Sequence, residues 1–84
     1  MHEVLLAPAA EKDLDKLPKS LFTRVTKELK SLAENPRPRG SRKIVGSMSD
    51  WRVRVGDYRI VYEIRENEKE IRVMRIKHRR EAYR

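Results

Sequence analysis

Three arginines stand in the sequence at spacings that suit recognition of a phosphate group. Arg52 and Arg54 alternate with apolar residues, and Arg59 follows the pair Gly56-Asp57 in a second alternating segment. Residues two positions apart on a strand share one face of the sheet. A guanidinium offers a planar fork of N–H donors that matches phosphate oxygens. The pattern predicts an anion site built from arginine side chains.

A two-residue loop at Gly56-Asp57 would fix the register of a hairpin. The apolar pairs predicted on one face are Val55 with Tyr58, Val53 with Ile60, and Trp51 with Tyr62. The other face then has Arg54 opposite Arg59 and Arg52 opposite Val61. Like charges directly opposite each other weaken a sheet, so this cluster favours an anionic ligand. The alternative is an ordinary solvated face on which Glu63 or another acid relieves the repulsion.

The C-terminal run, residues 75–84, is basic and contains one tyrosine. Basic side chains beside an aromatic ring can hold a phosphate while a base stacks, which favours single-stranded RNA. We expect Lys43, Lys77, His78 and Arg80 to bind RNA. His78 is also a candidate proton shuttle because histidine is the residue type that ordinarily exchanges protons near neutral pH, although a lone histidine is more often a plain surface residue. A basic terminus can equally be a solvated end.

The net charge of +8 is unevenly distributed along the 84 residues. Residues 1–36 contain six basic and six acidic side chains, whereas residues 37–84 contain fifteen and seven. Such a concentrated field attracts a polyanion, although a generally basic, soluble surface would give the same total. The chain has no cysteine and two histidines, so we expect no disulfide, metal or other cofactor.

The pattern of elements predicts an α+β fold in one domain, residues 1–84. We expect a strand over residues 2–6, a helix from Pro8 to Leu17, and a second helix that ends at Asn35-Pro36. The apolar stripe expected on the second helix comprises Leu21, Phe22, Val25, Leu29 and Leu32. An antiparallel meander of three or four strands follows. It includes a short strand at residues 43–45 and a more central strand at residues 71–76. No apolar run reaches the roughly 18–20 residues that cross a bilayer, which favours a cytoplasmic protein without a membrane partner.

Residues 51–62 and 76–83, with the helix pair before them, resemble the RelE/ParE toxin superfamily and specifically its RelE-type branch. The resemblance covers nearly the whole chain. It implies a microbial-ribonuclease-like fold and the toxin of a type II toxin–antitoxin pair. RelE-type toxins cleave mRNA in the ribosomal A site, and a cognate RelB-like antitoxin wraps and inhibits them. The resemblance also implies that the toxin and its antitoxin form a complex that assembles into a higher oligomer.

The resemblance also implies catalytic roles for Arg52, Arg54, Arg59, Arg79 and Tyr83. Arg59 and Arg79 would stabilise charge on the phosphate, Arg52 and Arg54 would hold the backbone, and Tyr83 would stack on a base. No metal is required. Lysine is common in the family at positions 52 and 54, and arginine is a poor proton carrier, so the general acid and base stay open.

Two other functions fit the same fold. A ParE-like toxin poisons DNA gyrase through protein contact and does not need the Arg54/Arg59 cluster or Tyr83, so the presence of these residues argues against that class. A non-catalytic basic module that binds RNA or the ribosome is the other alternative. Charge alone does not distinguish binding from cleavage.

Overall fold

Five strands form one sheet, and the two longer helices cover one of its faces. The computed structural model describes residues 1–46 and 50–82. The elements in chain order are β1 (Glu3–Leu6), α1 (Pro8–Asp15), α2 (Lys19–Glu34), β2 (Arg42–Lys43), β3 (Asp50–Val55), β4 (Tyr58–Arg65), β5 (Glu70–His78) and α3 (Arg79–Ala82). The predicted α+β fold class is confirmed.

The sheet has the strand order β1-β5-β4-β3-β2. β1 runs parallel to β5, while β2 to β5 form an antiparallel meander of four strands, the longer of the two predicted alternatives. All the hairpin pairs predicted from the Gly56-Asp57 loop are present, including Arg54 opposite Arg59. β5 has a neighbour on each side, as its apolar sequence indicated.

The core lies between this sheet and α1 and α2. Its buried side chains are Ala10, Val25, Leu29, Leu32, Val53, Val55, Ile60, Tyr62, Ile64, Ile71, Val73 and Ile76. The stripe expected on α2 is narrower than predicted, because Phe22 is 40% exposed. Phe22 lies seven residues before buried Leu29 and so points in nearly the same direction around the helix, but it is in the first turn of α2, whereas the buried residues lie farther along.

A β-bulge explains why β5 is apolar on both faces. Val61 pairs with Arg75 and Tyr62 pairs with Val73, so Met74 has no partner on β4. The extra residue reverses the alternation beyond it. Ile76 therefore joins Val73 in the core, while Arg75 and Lys77 turn to the open face.

The short strand predicted at residues 43–45 is displaced. β2 consists of Arg42 and Lys43, and Val45 is 99% exposed in a turn with Gly46. Gly46 has φ +86°, a conformation that favours glycine, and lies in the turn that ends the strand signal. The apolar character of Ile44 and Val45 was therefore a misleading strand signal.

Asp13 of α1 closes the part of β5 that β1 does not reach. β1 ends before Pro8, and Ala7 donates its N–H to the carbonyl of Val73. Farther along, the Ile76 N–H donates to Asp13 Oδ2 at 2.9 Å, and Arg75 Nε donates to the same oxygen at 2.8 Å. Burial alone would raise the pKa of Asp13, but the bonds from Arg75 and Ile76 outweigh it and hold the pKa below 3.8.

Asp13→Asn is expected to lower the free energy of unfolding by about 1–3 kcal/mol at neutral pH, because a charge-assisted contact is lost. Since the folded pKa is depressed, the carboxylate stabilises the fold above its ordinary pKa of 3.8 and loses this effect as the pH falls through the folded value. Urea unfolding of both proteins at decreasing pH should show the difference closing. A difference that does not change with pH would contradict the assigned role.

Candidate active site

Basic side chains form a row across the face of the sheet that is turned away from the helices. Register pairs Arg42 with Arg52, Arg54 with Arg59, and Arg59 with Lys77, so the members of each pair point to the same side. The row, here called the arginine face, therefore crosses four strands. Such a run of like charges on adjacent strands is unfavourable without a counter-charge.

The arginine face contains a shallow cleft of about 190 Å³. It is lined by Gly40, Arg42, Arg52, Val53, Arg54 and Arg59. Arg52 and Arg59 are half-buried, while Arg42 and Arg54 are exposed. We call this the arginine cleft. Its guanidiniums approach from β2, β3 and β4, which suits an anion with several acceptor oxygens.

The hairpin turn holds Arg54 by its backbone. Arg54 Nε donates to the carbonyl of Gly56 at 2.7 Å, and its Nη2 lies 3.9 Å from Asp57 Oδ1. Both side chains of that ion pair are more than 60% exposed, so water screens it. Glu63, the acid considered as a neutralising partner, lies near the far end of β4 and pairs with Arg65 at 3.4 Å.

The C-terminal candidates gather at the end of the sheet, next to the hairpin turn. Arg79 begins α3 directly after β5 and donates its N–H to the carbonyl of Asp57 at 2.7 Å. His78 Nδ1 accepts the N–H of Arg80 at 3.3 Å. The His78 ring meets Tyr58 edge to face, with centroids 5.2 Å apart. His78 therefore shares the helix side of the sheet with Tyr58, opposite to Lys77.

The predicted site residues thus divide into two neighbouring groups. Arg52, Arg54 and Arg59 line the arginine cleft, whereas Arg79 and Arg80 line a separate concavity beside His78 and Asp57. Arg59 therefore lines the arginine cleft and Arg79 the neighbouring concavity, and their joint action on one phosphate stays a prediction. Tyr83 lies outside the described residues, and its role stays a prediction.

Lys43, one of the residues predicted to bind RNA, does not lie on the arginine face. It pairs with Trp51, so its side chain belongs to the helix side of the sheet. Arg42, its neighbour on β2, points to the arginine face, since successive strand residues point to opposite faces. Binding of RNA by Lys43 is untested.

Two basic residues were missed by the sequence reasoning. Arg42 was missed because no local sequence pattern specifies how β2 pairs with β3. Arg24 of α2 extends over the hairpin turn, with Nη1 3.3 Å from the position that a Cβ on Gly56 would take. Arg24 is the only arginine in residues 1–36, which was a usable signal. Gly56 has φ +60°, and its lack of a side chain leaves room for the guanidinium.

Within residues 1–46 and 50–82, no three histidine or carboxylate side chains lie together as metal ligands. In the same part of the chain, no helix is long and apolar enough to cross a membrane. The described site offers guanidiniums, backbone groups, the Asp57 carboxylate and the Tyr58–His78 ring pair.

Comparison with known proteins places this basic α+β domain in a family. The model for the ParE toxin of type II toxin-antitoxin system, parDE, matches residues 4–83. The chain belongs to this toxin family. Matching curated protein sequences were not found.

Solved structures similar to the toxin include RelE proteins. The archaeal RelE-RelB complex from Pyrococcus horikoshii OT3 aligns at 29% identity with a TM-score of 0.83, covering 93% of this chain and 94% of that one. The RelB-RelE complex from Methanococcus jannaschii aligns at 26% with a TM-score of 0.79, covering 94% of both chains. Isolated E. coli RelE aligns at 20% identity with a TM-score of 0.83, covering 93% of this chain and 84% of that one. At this identity the likeness shows the shared fold alone. The predicted membership of the RelE/ParE superfamily is confirmed.

Proposed function

We propose that this toxin is a ribosome-dependent endoribonuclease that cleaves mRNA in the ribosomal A site and so stops translation. The observation that carries the proposal is the register pair Arg54 and Arg59, extended by Arg42, Arg52 and Lys77 on an open face. A sheet that accepts repulsion of this kind gains most from a bound polyanion. The likeness to RelE toxins supports an RNA substrate.

In the proposed reaction, a ribose 2′-hydroxyl gives its proton to a base, and the 2′-oxygen attacks the adjacent phosphorus. The bond from phosphorus to the 5′-oxygen breaks, and the 5′-oxygen takes up a proton from an acid, which leaves a 2′,3′-cyclic phosphate and a 5′-hydroxyl end with no net change in protons. Arg59 and Arg52 in the arginine cleft stabilise the charge that develops on the phosphoryl oxygens. Arg54, held by the Gly56 carbonyl, grips the neighbouring backbone. Arg79 and Tyr83 complete the site from the C-terminal segment.

The lining of the arginine cleft supports dependence on the ribosome. Its described residues offer guanidiniums, Gly40 and Val53, with no carboxylate or imidazole among them. Arginine stays protonated at neutral pH and transfers protons poorly. His78 lies at the neighbouring end of the sheet and is the candidate shuttle. We therefore expect weak cleavage of free RNA and rapid cleavage only where the ribosome orders the substrate.

The proposal includes a RelB-like antitoxin as the physiological inhibitor, acting in the cytoplasm. The solved complexes from Pyrococcus horikoshii OT3 and Methanococcus jannaschii contain RelB with RelE. An acidic or amphipathic antitoxin segment would supply counter-charges to the arginine face or cover the helix pair. Assembly of the toxin–antitoxin complex into a higher oligomer belongs to the same proposal.

Primer extension on mRNA translated in a reconstituted system tests the proposed activity. Wild-type toxin should generate new 5′ ends within codons, only when ribosomes are present. The double variant Arg59→Ala/Arg79→Ala should generate none while keeping the wild-type circular dichroism spectrum. Absence of new ends with folded wild-type toxin would refute the nuclease.

Inhibition of DNA gyrase is the second candidate, because the matching family model is that of the ParE toxin. A supercoiling assay with purified gyrase distinguishes the two functions directly. A non-catalytic RNA-binding module would give a third result. In that case RNA binding would persist with no cleavage by the wild-type chain, and Arg79→Ala would change neither measurement greatly.

A further inference from the structure

A second concave surface lies at the hairpin end of the sheet, beside the arginine cleft. The start of α2, the Gly56-Asp57 turn and the end of β5 enclose an open volume of about 810 Å³. We call it the hairpin-end cleft. Leu21, Arg24, Tyr58 and His78 are among its lining residues. Arg54 lines both clefts, so the two surfaces are continuous at that side chain.

Two guanidiniums converge on one glycine in this cleft. Arg24 reaches Gly56 from α2, and its Nη1 lies 3.3 Å from the position of a Cβ there. Arg54 reaches the same residue from β3, with Nε 2.7 Å from the Gly56 carbonyl oxygen. Two cations held against one turn by separate elements form an anion-binding surface. Asp57 also lines the cleft and lies 3.9 Å from Arg54, which directs a phosphate to the Arg24 side.

Two ring side chains also line the cleft. Tyr58 and His78 pair across β4 and β5 with their ring planes at 87°, and both side chains are half-buried. Leu21 adds an apolar contact from α2. Proteins bind single-stranded nucleic acid with cationic side chains that contact a phosphate and neighbouring rings that stack against a base. The Asp57 carboxylate suits the N–H donors of a base and disfavours a second phosphate.

We propose that the hairpin-end cleft binds a nucleotide of the mRNA next to the cleaved bond. Its phosphate lies on Arg24 and Arg54, and its base lies against Tyr58 and His78. The strand passes from the arginine cleft around the hairpin turn, with Arg54 serving both positions. This inference rests on the proposed nuclease function. It assigns Arg24, which lies far in sequence from the arginines of the arginine cleft, to substrate binding.

Arg24→Ala tests the cleft against the matched control Lys27→Ala, which removes one exposed positive charge from the same helix. The probes are fluorescent 2′-O-methyl RNA oligonucleotides of increasing length, which have no free 2′-hydroxyl and are not cleaved. Wild-type toxin should bind the longer oligonucleotides more tightly, once both clefts are filled. Arg24→Ala should weaken the longest by about tenfold and leave the shortest unchanged. Arg24→Lys should recover part of the loss.

Several outcomes would overturn this assignment. Equal losses in Arg24→Ala and Lys27→Ala at every length would show only general attraction to a basic surface. A defect of Arg24→Ala in binding an acidic antitoxin peptide, with RNA binding intact, would assign the cleft to protein. If the wild-type toxin does not cleave mRNA in primer extension, both the proposed nuclease function and the proposed role of the hairpin-end cleft are refuted. If the wild-type toxin cleaves mRNA but Arg24→Ala and Lys27→Ala bind RNA alike, only the proposed role of the hairpin-end cleft is refuted.

Discussion

Arg59→Ala is expected to slow mRNA cleavage on the ribosome by about 100- to 1,000-fold, the usual cost of removing one preorganised donor from a developing oxyanion. Arg59 is half-buried on β4 and paired on either side with Arg54 and Lys77, so its guanidinium lies within the row and not at its end. Lower solvent exposure strengthens its interaction with charge in the transition state. Single-turnover rates on ribosomes programmed with a defined codon measure the effect.

Two further variants distinguish the role of the Arg59 guanidinium from the effect of its positive charge and from the loss of any arginine on β4. Arg59→Lys keeps the positive charge but loses the planar fork, so we expect most of the loss in rate to remain. Arg65→Ala removes an arginine from the other end of the same strand, where Glu63 and Glu68 pair with it. That control should cut at nearly the wild-type rate. Unchanged cleavage by Arg59→Ala would place the reacting phosphate elsewhere.

The hairpin was predictable because its constraints are local. A two-residue loop permits few registers, and only one places Val53, Val55, Ile60 and Tyr62 together on the side of the helices. The opposed arginines follow from that register without any knowledge of the tertiary structure. The helices were likewise specified by prolines and apolar spacing, with Phe22 as the residue that the pattern overestimated.

The rest of the site depends on contacts between segments distant in sequence. The bulge at Met74 sends Lys77 to the arginine face, and the pairing of β2 with β3 places Arg42 there and Lys43 on the helix side. Neither has a marker in the local sequence. The position of Arg24 over Gly56 requires the packing of α2 on the sheet. Such placements come from tertiary structure, which periodicity along the chain does not encode.

β4 connects the stability of the fold with the geometry of the site. Its residues alternate between the core and the arginine face, so Arg59 is held in place by the packing of Ile60 and Tyr62. Tyr62 is fully buried, and its hydroxyl donates to the carbonyl of Pro36 at 2.8 Å. This bond ties the core to the loop that leads into Gly40 and Arg42 of the arginine cleft. Arg37 also fixes that loop, with its guanidinium 5.3 Å from the centre of the Trp51 ring.

Tyr62→Ala is expected to destabilise the protein by about 3–5 kcal/mol, a large fraction of the stability of a small domain, because it leaves a cavity in the core. Tyr62→Phe preserves the packing and removes the hydroxyl with its hydrogen bond to Pro36, which costs about 1 kcal/mol. Thermal and urea unfolding measure both values. Similar small losses in the two variants would mean that the core collapses around the vacant ring position.

Alkaline unfolding isolates the hydroxyl of Tyr62 from its ring. Burial raises the pKa of Tyr62 above 10.0, and the nearby charge of Glu28 acts in the same direction. A raised pKa means that the neutral hydroxyl stabilises the fold fully below pH 10 and loses this effect as the pH rises through the folded pKa. The advantage of wild type over Tyr62→Phe should therefore shrink above pH 10, whereas its advantage over Tyr62→Ala should largely persist. Because Tyr62→Phe also releases Pro36, cleavage should fall severalfold at neutral pH without unfolding, and an unchanged rate would show that the loop needs no support from β4.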